Sequence, residues 1–95
     1  MKLDREKVRV EKYYSVGYIP SIDKYVLACI VPWIAWYNRY YEITKDEYDS
    51  FGSVQLDELA ESLYHEETLS TRFLYSDKNE ENNSEQLKLR EKAKG

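Results

Sequence analysis

The sequence predicts an α+β domain in which an antiparallel sheet of about four strands carries two consecutive helices on one face. Residues 8–43 are rich in Val, Ile, Tyr and Trp, which favour strands. Residues 56–63 instead repeat their apolar side chains at helical spacing. The elements therefore follow the order β-β-β-α-α-β, and such segregation of strands from helices is typical of the α+β class.

The length of 95 residues indicates one domain, which we expect to span residues 1–78. Residues 79–95 are polar and can form either a short charged helix or a disordered tail. A single cysteine cannot form an internal disulfide, and the charged start of the chain does not resemble a signal peptide. The longest apolar run, 25–37, is too short to span a bilayer, so we expect a cytoplasmic protein.

The core of the predicted sheet is the segment 24–43, which holds both tryptophans and the cysteine. Residues 25–31 show no polar alternation, and this predicts a central strand with both faces covered. A single helix over 21–41 is the main alternative. Pro32 opposes that helix, because an internal proline removes a hydrogen bond and costs about 3 kcal/mol.

The N-terminal region has a weaker pattern. Residues 2–7 alternate in charge and are expected to be frayed. From Val8 to Ile19 the residues favour either one bent strand or two short ones, ending at a turn around Pro20. Gly17 within this run indicates a bulge or a close approach of another segment.

After Pro32, residues 36–43 show a partial alternation of apolar and polar side chains. Tyr37, Tyr41 and Ile43 are expected on the more buried face, where Arg39 is the one member not expected to be buried. The sequence 44–47, Thr-Lys-Asp-Glu, is a capping box that predicts the start of a short helix.

Gly52 and Ser53 separate this first helix from a second one. The second helix carries an apolar stripe of Leu56, Leu59, Ala60 and Leu63, and we expect it to end near His65. Residues 69–76 are predicted to form the last strand.

The sequence contains no pattern of known catalytic or metal-binding type. Cys29 lies in an apolar run, where a thiol is expected to be buried and inert. His65 is the only histidine, and one histidine with one distant cysteine does not supply a zinc site. With three scattered glycines there is no phosphate-binding loop. We therefore expect no enzymatic activity, no cofactor and no metal.

The most informative feature is the distribution of charge. Residues 42–67 contain nine acidic residues and one base, although the net charge of the whole chain is only −4. This opposes binding to nucleic acid or to an anionic membrane. The acids can simply keep a helix face soluble, but such faces usually mix charges of both signs. The alternative is an acidic face that binds a basic protein.

The segment around Trp33 is a second candidate for binding. The residues Pro-Trp-Ile-Ala-Trp at 32–36 are unusually apolar for a hairpin turn. Trp33 can be an exposed aromatic anchor of an interface, or the segment can fold under the helices.

The run Arg39–Phe51, Arg-Tyr-Tyr-Glu-Ile-Thr-Lys-Asp-Glu-Tyr-Asp-Ser-Phe, resembles a segment of small bacterial immunity proteins. These neutralise toxin domains of contact-dependent growth inhibition and related polymorphic toxin systems. The similarity lies in a strand ending in Tyr-Tyr-Glu-Ile, followed by a Thr-capped acidic helix, and covers about a seventh of the chain. It implies a cytoplasmic, non-enzymatic protein that binds one cognate toxin, often a nuclease with a basic cleft.

These observations define a hypothetical binding surface on the two helices and the hairpin turn. Its residues are Asp46, Glu47, Tyr48, Asp49, Asp57, Glu58, Glu61 and Trp33. The expected partner is a toxin domain with a basic surface, bound by a monomer. A regulatory or assembly subunit that associates through a sheet edge or Trp33 is the alternative, and a small enzyme is a further one.

Overall fold

The computed structural model describes residues 3–95, which form a five-stranded antiparallel sheet and three α-helices. The strands lie in the sheet in the order in which they occur in the chain. They are β1 (Asp4–Arg9), β2 (Tyr14–Ile19), β3 (Lys24–Val31), β4 (Tyr37–Ile43) and β5 (Phe73–Ser76). The predicted α+β class is confirmed, with one strand more than the four expected.

The helices cover both faces of the sheet. Helices α1 (Lys45–Asp49) and α2 (Val54–Glu66) connect β4 to β5 and pack on one face. Helix α3 (Ser84–Ala93) follows β5 and packs on the other, where Leu89 and Ala93 meet the second apolar cluster. The polar segment 79–95 therefore contains a short 3-10 turn and an ordered helix.

The extra strand is β1, at the edge of the sheet. Residues 4–7 were expected to be frayed, and this was wrong; Met1 and Lys2 lie outside the described residues. Residues 7–9 pair in regular register with β2, and the charged side chains of an edge strand can stay in water. The register shifts between Asp4 and Lys7, and Arg5 has a left-handed backbone with φ of 51°.

Of the two interpretations of residues 8–19, the structure has two strands joined by a 3-10 turn over Val10–Lys12. A glycine is required at position 17, because Leu3 and Asp4 of the N-terminal segment lie against it. A Cβ at this position would lie 2.4 Å from the Leu3 Cβ and 3.0 Å from the Asp4 carbonyl oxygen. The predicted close approach is therefore confirmed, because any side chain there would force the N-terminal segment off the sheet.

Strand β3 is the central strand, and the helical alternative for residues 21–41 is not observed. Its side chains alternate between two cores. Leu27 and Cys29 pack under α1 and α2, whereas Val26 and Ala28 pack under α3. The apolar run without polar alternation thus reflects helices on both sides of the sheet.

In strand β4, the side chains are not divided into one buried and one exposed face as expected. Tyr41 and Ile43 are buried as expected, but Tyr40 on the opposite side is equally buried because α3 covers it. Arg39 was expected to be the exposed member of its row and is buried instead. The reason is a carboxylate partner, Glu81, that the sequence pattern does not reveal.

The helix signals in the sequence are confirmed. The Thr44 hydroxyl accepts from the Glu47 amide and the Glu47 carboxylate accepts from the Thr44 amide, which completes the capping box. The Ser53 side chain caps α2. Helix α2 ends at Glu66, one residue past the predicted end.

The last strand is shorter than predicted. It begins at Phe73 rather than Leu69, because residues Glu67–Leu69 form a 3-10 turn. Leu69 is 89% exposed and contributes nothing to the core. The four residues of β5 are all buried.

Candidate protein-binding groove

The predicted binding residues on α1 mostly serve the fold. Glu47 forms two hydrogen bonds with the guanidinium of Arg72, at 2.8 and 2.9 Å. This pair, together with the capping box, lowers the pKa of Glu47. Asp49 accepts from the Lys45 ammonium at 2.8 Å, and this exposed hydrogen bond lowers its pKa. Asp46 is exposed and forms no ion pair within residues 3–95.

Tyr48, the predicted aromatic anchor on α1, is only 6% exposed. Its hydroxyl donates to the Arg5 carbonyl, and its ring packs on Tyr25 with 5.0 Å between centroids. The Lys7 ammonium lies 4.3 Å from the ring centroid. Tyr48 therefore holds the N-terminal strand against the sheet and is not available to a partner.

On α2 the three predicted carboxylates differ in their surroundings. Asp57 accepts from the Arg9 guanidinium at 3.2 and 3.0 Å and from the Tyr14 hydroxyl at 2.6 Å. These hydrogen bonds lower the pKa of Asp57, and the one from Arg9 has the largest effect. Glu58 and Glu61 are exposed, and the nearest base to Glu61 is His65 at 3.9 Å. Of these three carboxylates, those of Glu58 and Glu61 are therefore the ones that can meet a partner.

Beside these two acids lies a groove of about 700 Å³, between α2 and the end of the sheet where β1 turns into β2 and β3 into β4. One stripe of α2 forms the first wall. Its residues recur at spacings of three and four, which places them along one side of the helix. They are Val54, Asp57, Glu58, Glu61 and Tyr64.

The second wall comes from two turns. Glu11, Lys12 and Tyr13 lie in the β1–β2 turn, while Pro32 and Trp36 lie in the β3–β4 loop. The rings of Tyr13 and Trp36 meet edge to face, with 6.5 Å between their centroids. The aromatic part of this wall is therefore the Tyr13–Trp36 pair, beside the charged side chains of Glu11 and Lys12.

The floor of the groove contains Cys29 of β3 and Ala60 of α2. Burial raises the pKa of the Cys29 thiol to about 12, so it is protonated at neutral pH. Its Sγ lies 3.8 Å from the Ala60 carbonyl oxygen. The one thiol that lines the groove is therefore not poised as a nucleophile.

The loop of residues 32–36, the apolar loop, is exposed along its whole length. Ile34 is 96% exposed, Trp36 65% and Trp33 59%. Trp36 turns towards the groove, whereas Trp33 carries the Lys78 ammonium 4.0 Å from its ring centroid. The alternative in which this segment folds under the helices is not observed.

A buried ion pair fixes the base of the apolar loop. The Arg39 Nε and Nη2 donate to the two oxygens of Glu81 at 2.9 and 2.7 Å. The Tyr37 hydroxyl also donates to Glu81, at 2.7 Å. The strand segment that follows the loop is therefore held by three hydrogen bonds to one carboxylate.

Several groove residues were missed by sequence reasoning, above all Tyr13, Val54 and Tyr64. Trp36 belongs to the candidate segment 32–36 but was not among the predicted site residues. Tyr64 follows Glu61 by three residues, a spacing that places the two on one side of the helix and could have indicated it. Tyr13 and Trp36 come together only through the pairing of β2 with β3 and β3 with β4. That register cannot be read from either turn alone.

Comparison of the chain with protein-family models, with curated proteins and with solved structures finds no match. The resemblance of residues 39–51 to immunity proteins therefore stays a prediction. Within residues 3–95, no group of three or more His, Cys, Asp or Glu side chains is placed to hold a metal ion. None of the helices in that range has the length and apolar character needed to cross a membrane.

Proposed function

We propose that this chain is a cytoplasmic immunity protein that binds a cognate bacterial toxin domain and neutralises it without catalysis. Its binding surface consists of the apolar loop and two exposed acids of α2 beside the groove, Glu58 and Glu61. The partner is a toxin domain with a basic surface, such as the cleft of a nuclease. Asp46 adds to the negative charge on the helical segment.

The observation that carries this proposal is the apolar loop. Trp33, Ile34 and Trp36 are exposed next to a charged helix, and contiguous apolar surface of this kind marks interaction sites on soluble proteins. Aromatic anchors at the centre and charged residues at the rim are the usual anatomy of a protein interface. Loop residues without a binding role would be expected to be polar.

The acids of α2 have a complementary part in the proposal. Glu58 and Glu61 lie on the wall of the groove beside the loop and are not neutralised by Lys or Arg within residues 3–95. Opposite charges on a partner would steer its approach and raise the association rate in a salt-dependent manner. Glu47, Asp49 and Asp57 are already paired internally and add less.

Coexpression with toxin domains encoded beside its gene tests the proposal. We expect one such domain to be neutralised, and the double variant Glu58→Lys, Glu61→Lys to slow association roughly tenfold and reduce protection. The matched control reverses two exposed acids elsewhere, Glu80 and Glu91. Failure to neutralise any adjacent toxin would contradict the proposed function. Equal protection by both double variants would contradict the part assigned to Glu58 and Glu61.

Self-association through Trp33 is a second candidate, favoured by the exposure of the same loop. In that case the protein would be an assembly or regulatory subunit. Replacing Trp33 and Ile34 by Ser would then convert an oligomer into a monomer. A toxin-binding protein would instead be a monomer before and after the change, and would lose protection.

A further inference from the structure

The geometry of the groove points to a specific occupant: a segment of the partner protein that presents an aliphatic side chain flanked by Lys or Arg. We propose that the aliphatic side chain enters between the aromatic wall and α2, while the cations meet the acids at the rim. This inference rests on the proposed function in one respect, because it names the part of the toxin that this site takes.

The size and lining of the groove fit such a segment. A volume of about 700 Å³ lies within the range of pockets that enclose organic ligands, roughly 300–1,000 Å³. Tyr13 and Trp36 on one side and Val54 and Tyr64 on the other supply apolar surface. All four are exposed in the structure, so an aliphatic side chain would cover them without displacing any buried group.

Charge decides what can flank that side chain. Four carboxylates line the groove, from Glu11, Asp57, Glu58 and Glu61, and the only base among the lining residues is Lys12. An acidic segment would be repelled, and a neutral one would gain only the apolar contact. Lys or Arg on either side adds attraction at little desolvation cost, since the rim is open to water.

Arg9 determines which of these acids remain for the partner. Its guanidinium already engages Asp57 at 3.0 Å and Glu11 at 3.2 Å. Glu58 and Glu61 are not engaged by Arg9, and they lie one helical turn apart on the same wall. The partner's cations are therefore expected to meet Glu58 and Glu61, with Tyr64 close by to contact their alkyl stems.

The two tryptophans provide a reporter for this site. Trp36 lines the groove and Trp33 does not, so the variant Trp33→Phe leaves a single tryptophan in the site. Trp36→Phe is the matched control with its tryptophan outside. The probe is the blocked peptide acetyl-Gly-Arg-Leu-Leu-Arg-Gly-amide, which does not absorb where tryptophan does. Its counterpart with Glu in place of both Arg tests the sign of the charge.

We expect the arginine peptide to shift the emission of the Trp33→Phe protein in a saturable manner, and that of the Trp36→Phe protein much less. In the Trp33→Phe background, Glu58→Gln with Glu61→Gln should weaken binding at least roughly fivefold, because the two negative charges that attract the peptide's guanidinium groups are removed. Glu80→Gln with Glu91→Gln should leave it unchanged. Circular dichroism checks that each variant is folded.

Equal binding of the glutamate peptide, or no binding of the arginine peptide at millimolar concentration, would overturn the inference. So would unchanged affinity in the Glu58, Glu61 variant. If the arginine peptide binds as described but no adjacent toxin is neutralised, the proposed function fails and the groove assignment stands. If a toxin is neutralised equally well by the Glu58, Glu61 variant, although this variant binds the peptide more weakly, the groove assignment fails alone.

Discussion

Arg39 and Glu81 form the most buried ion pair described in the molecule, and they connect β4 to the segment between β5 and α3. The Nε and Nη2 of Arg39 each donate a hydrogen bond to the Glu81 carboxylate, and the Tyr37 hydroxyl donates a third. The hydrogen bond from Arg39 is the main cause that lowers the pKa of Glu81 from 4.5 to about 2. Such a pair holds two segments in one geometry, and the apolar loop ends three residues before Arg39.

We predict that Glu81→Gln lowers the free energy of unfolding near neutral pH by about 3 kcal/mol, because it leaves Arg39 buried without its anion. The pKa of Glu81 is depressed in the folded state. Its stabilising contribution is therefore full above 4.5 and is lost as the pH falls towards about 2. Urea unfolding of both proteins across this range measures the effect.

The stability difference between wild type and Glu81→Gln should accordingly shrink as the solution is acidified. The exposed neighbour provides a matched control, since Glu80→Gln changes the net charge by the same amount without touching Arg39. If the stability difference stays constant down to a pH of about 2, the charge of Glu81 is not the cause of the destabilisation. An equal loss of stability in Glu80→Gln would lead to the same conclusion.

The burial of individual polar side chains was the feature of this protein that the sequence predicted least well. Arg39 and Tyr48 were assigned to the surface, and both are buried because partners from distant positions, Glu81 and Arg5, satisfy their polar groups. A local pattern contains no information about a partner 42 residues away. Cys29 was predictable, because an apolar run on both sides of a residue indicates burial whatever the fold.

The helices show how much a local signal can establish. Helix α2 was predictable nearly to its last residue, since its cap and its apolar stripe agree. The sequence of α3 fits either a helix or a disordered tail, because few of its side chains are apolar and most of its surface is charged. In the structure, Leu89 and Ala93 pack in the second apolar cluster. What orders the helix is the surface of the sheet that it covers.

We predict that the cap of α3 contributes measurably to the whole fold. The Asn83 side chain accepts from the Gln86 amide and the Gln86 side chain accepts from the Asn83 amide, both at 2.8 Å. Asn83→Ala removes the first of these and should reduce the free energy of unfolding by about 1 kcal/mol. Thermal unfolding followed by circular dichroism gives the value.

The matched control for this change is Asn79→Ala, since Asn79 is exposed and its side chain forms no hydrogen bond with another residue described in the structure. A fully cooperative transition is also expected, because α3 covers one of the two cores. Separate melting of α3 before the rest, or equal losses in both variants, would contradict this account.

At the scale of the whole molecule, both edges of the sheet are protected against pairing with another chain. The outer strand β1 is charged and irregular, with a register shift and the left-handed Arg5. At the other edge the Asn82 side chain pairs with the amide and carbonyl of Ser76, at 2.7 and 2.9 Å. Features of this kind oppose the addition of a further strand.

We therefore predict a monomer, and light scattering should give a mass of 11.4 kDa over a range of concentrations. The net charge of −4 also disfavours association between copies. A stable dimer would contradict this prediction. Should one form, its persistence after Trp33→Ser and Ile34→Ser would place the contact at a sheet edge, and its loss would place it at the apolar loop.

The order of the strands in the sheet has a consequence for how the chain folds. Because each strand lies next to its neighbour in sequence, three of the four pairings are hairpins that close short loops, and only β4 with β5 must wait for an insertion of two helices. Local pairing of this kind favours rapid folding, since little loop entropy is lost before contacts form. During synthesis on the ribosome, β1 to β4 can pair before the residues of β5 exist. Their two apolar faces then stay uncovered until α2 and finally α3 emerge, which makes the nascent meander the stage most exposed to aggregation.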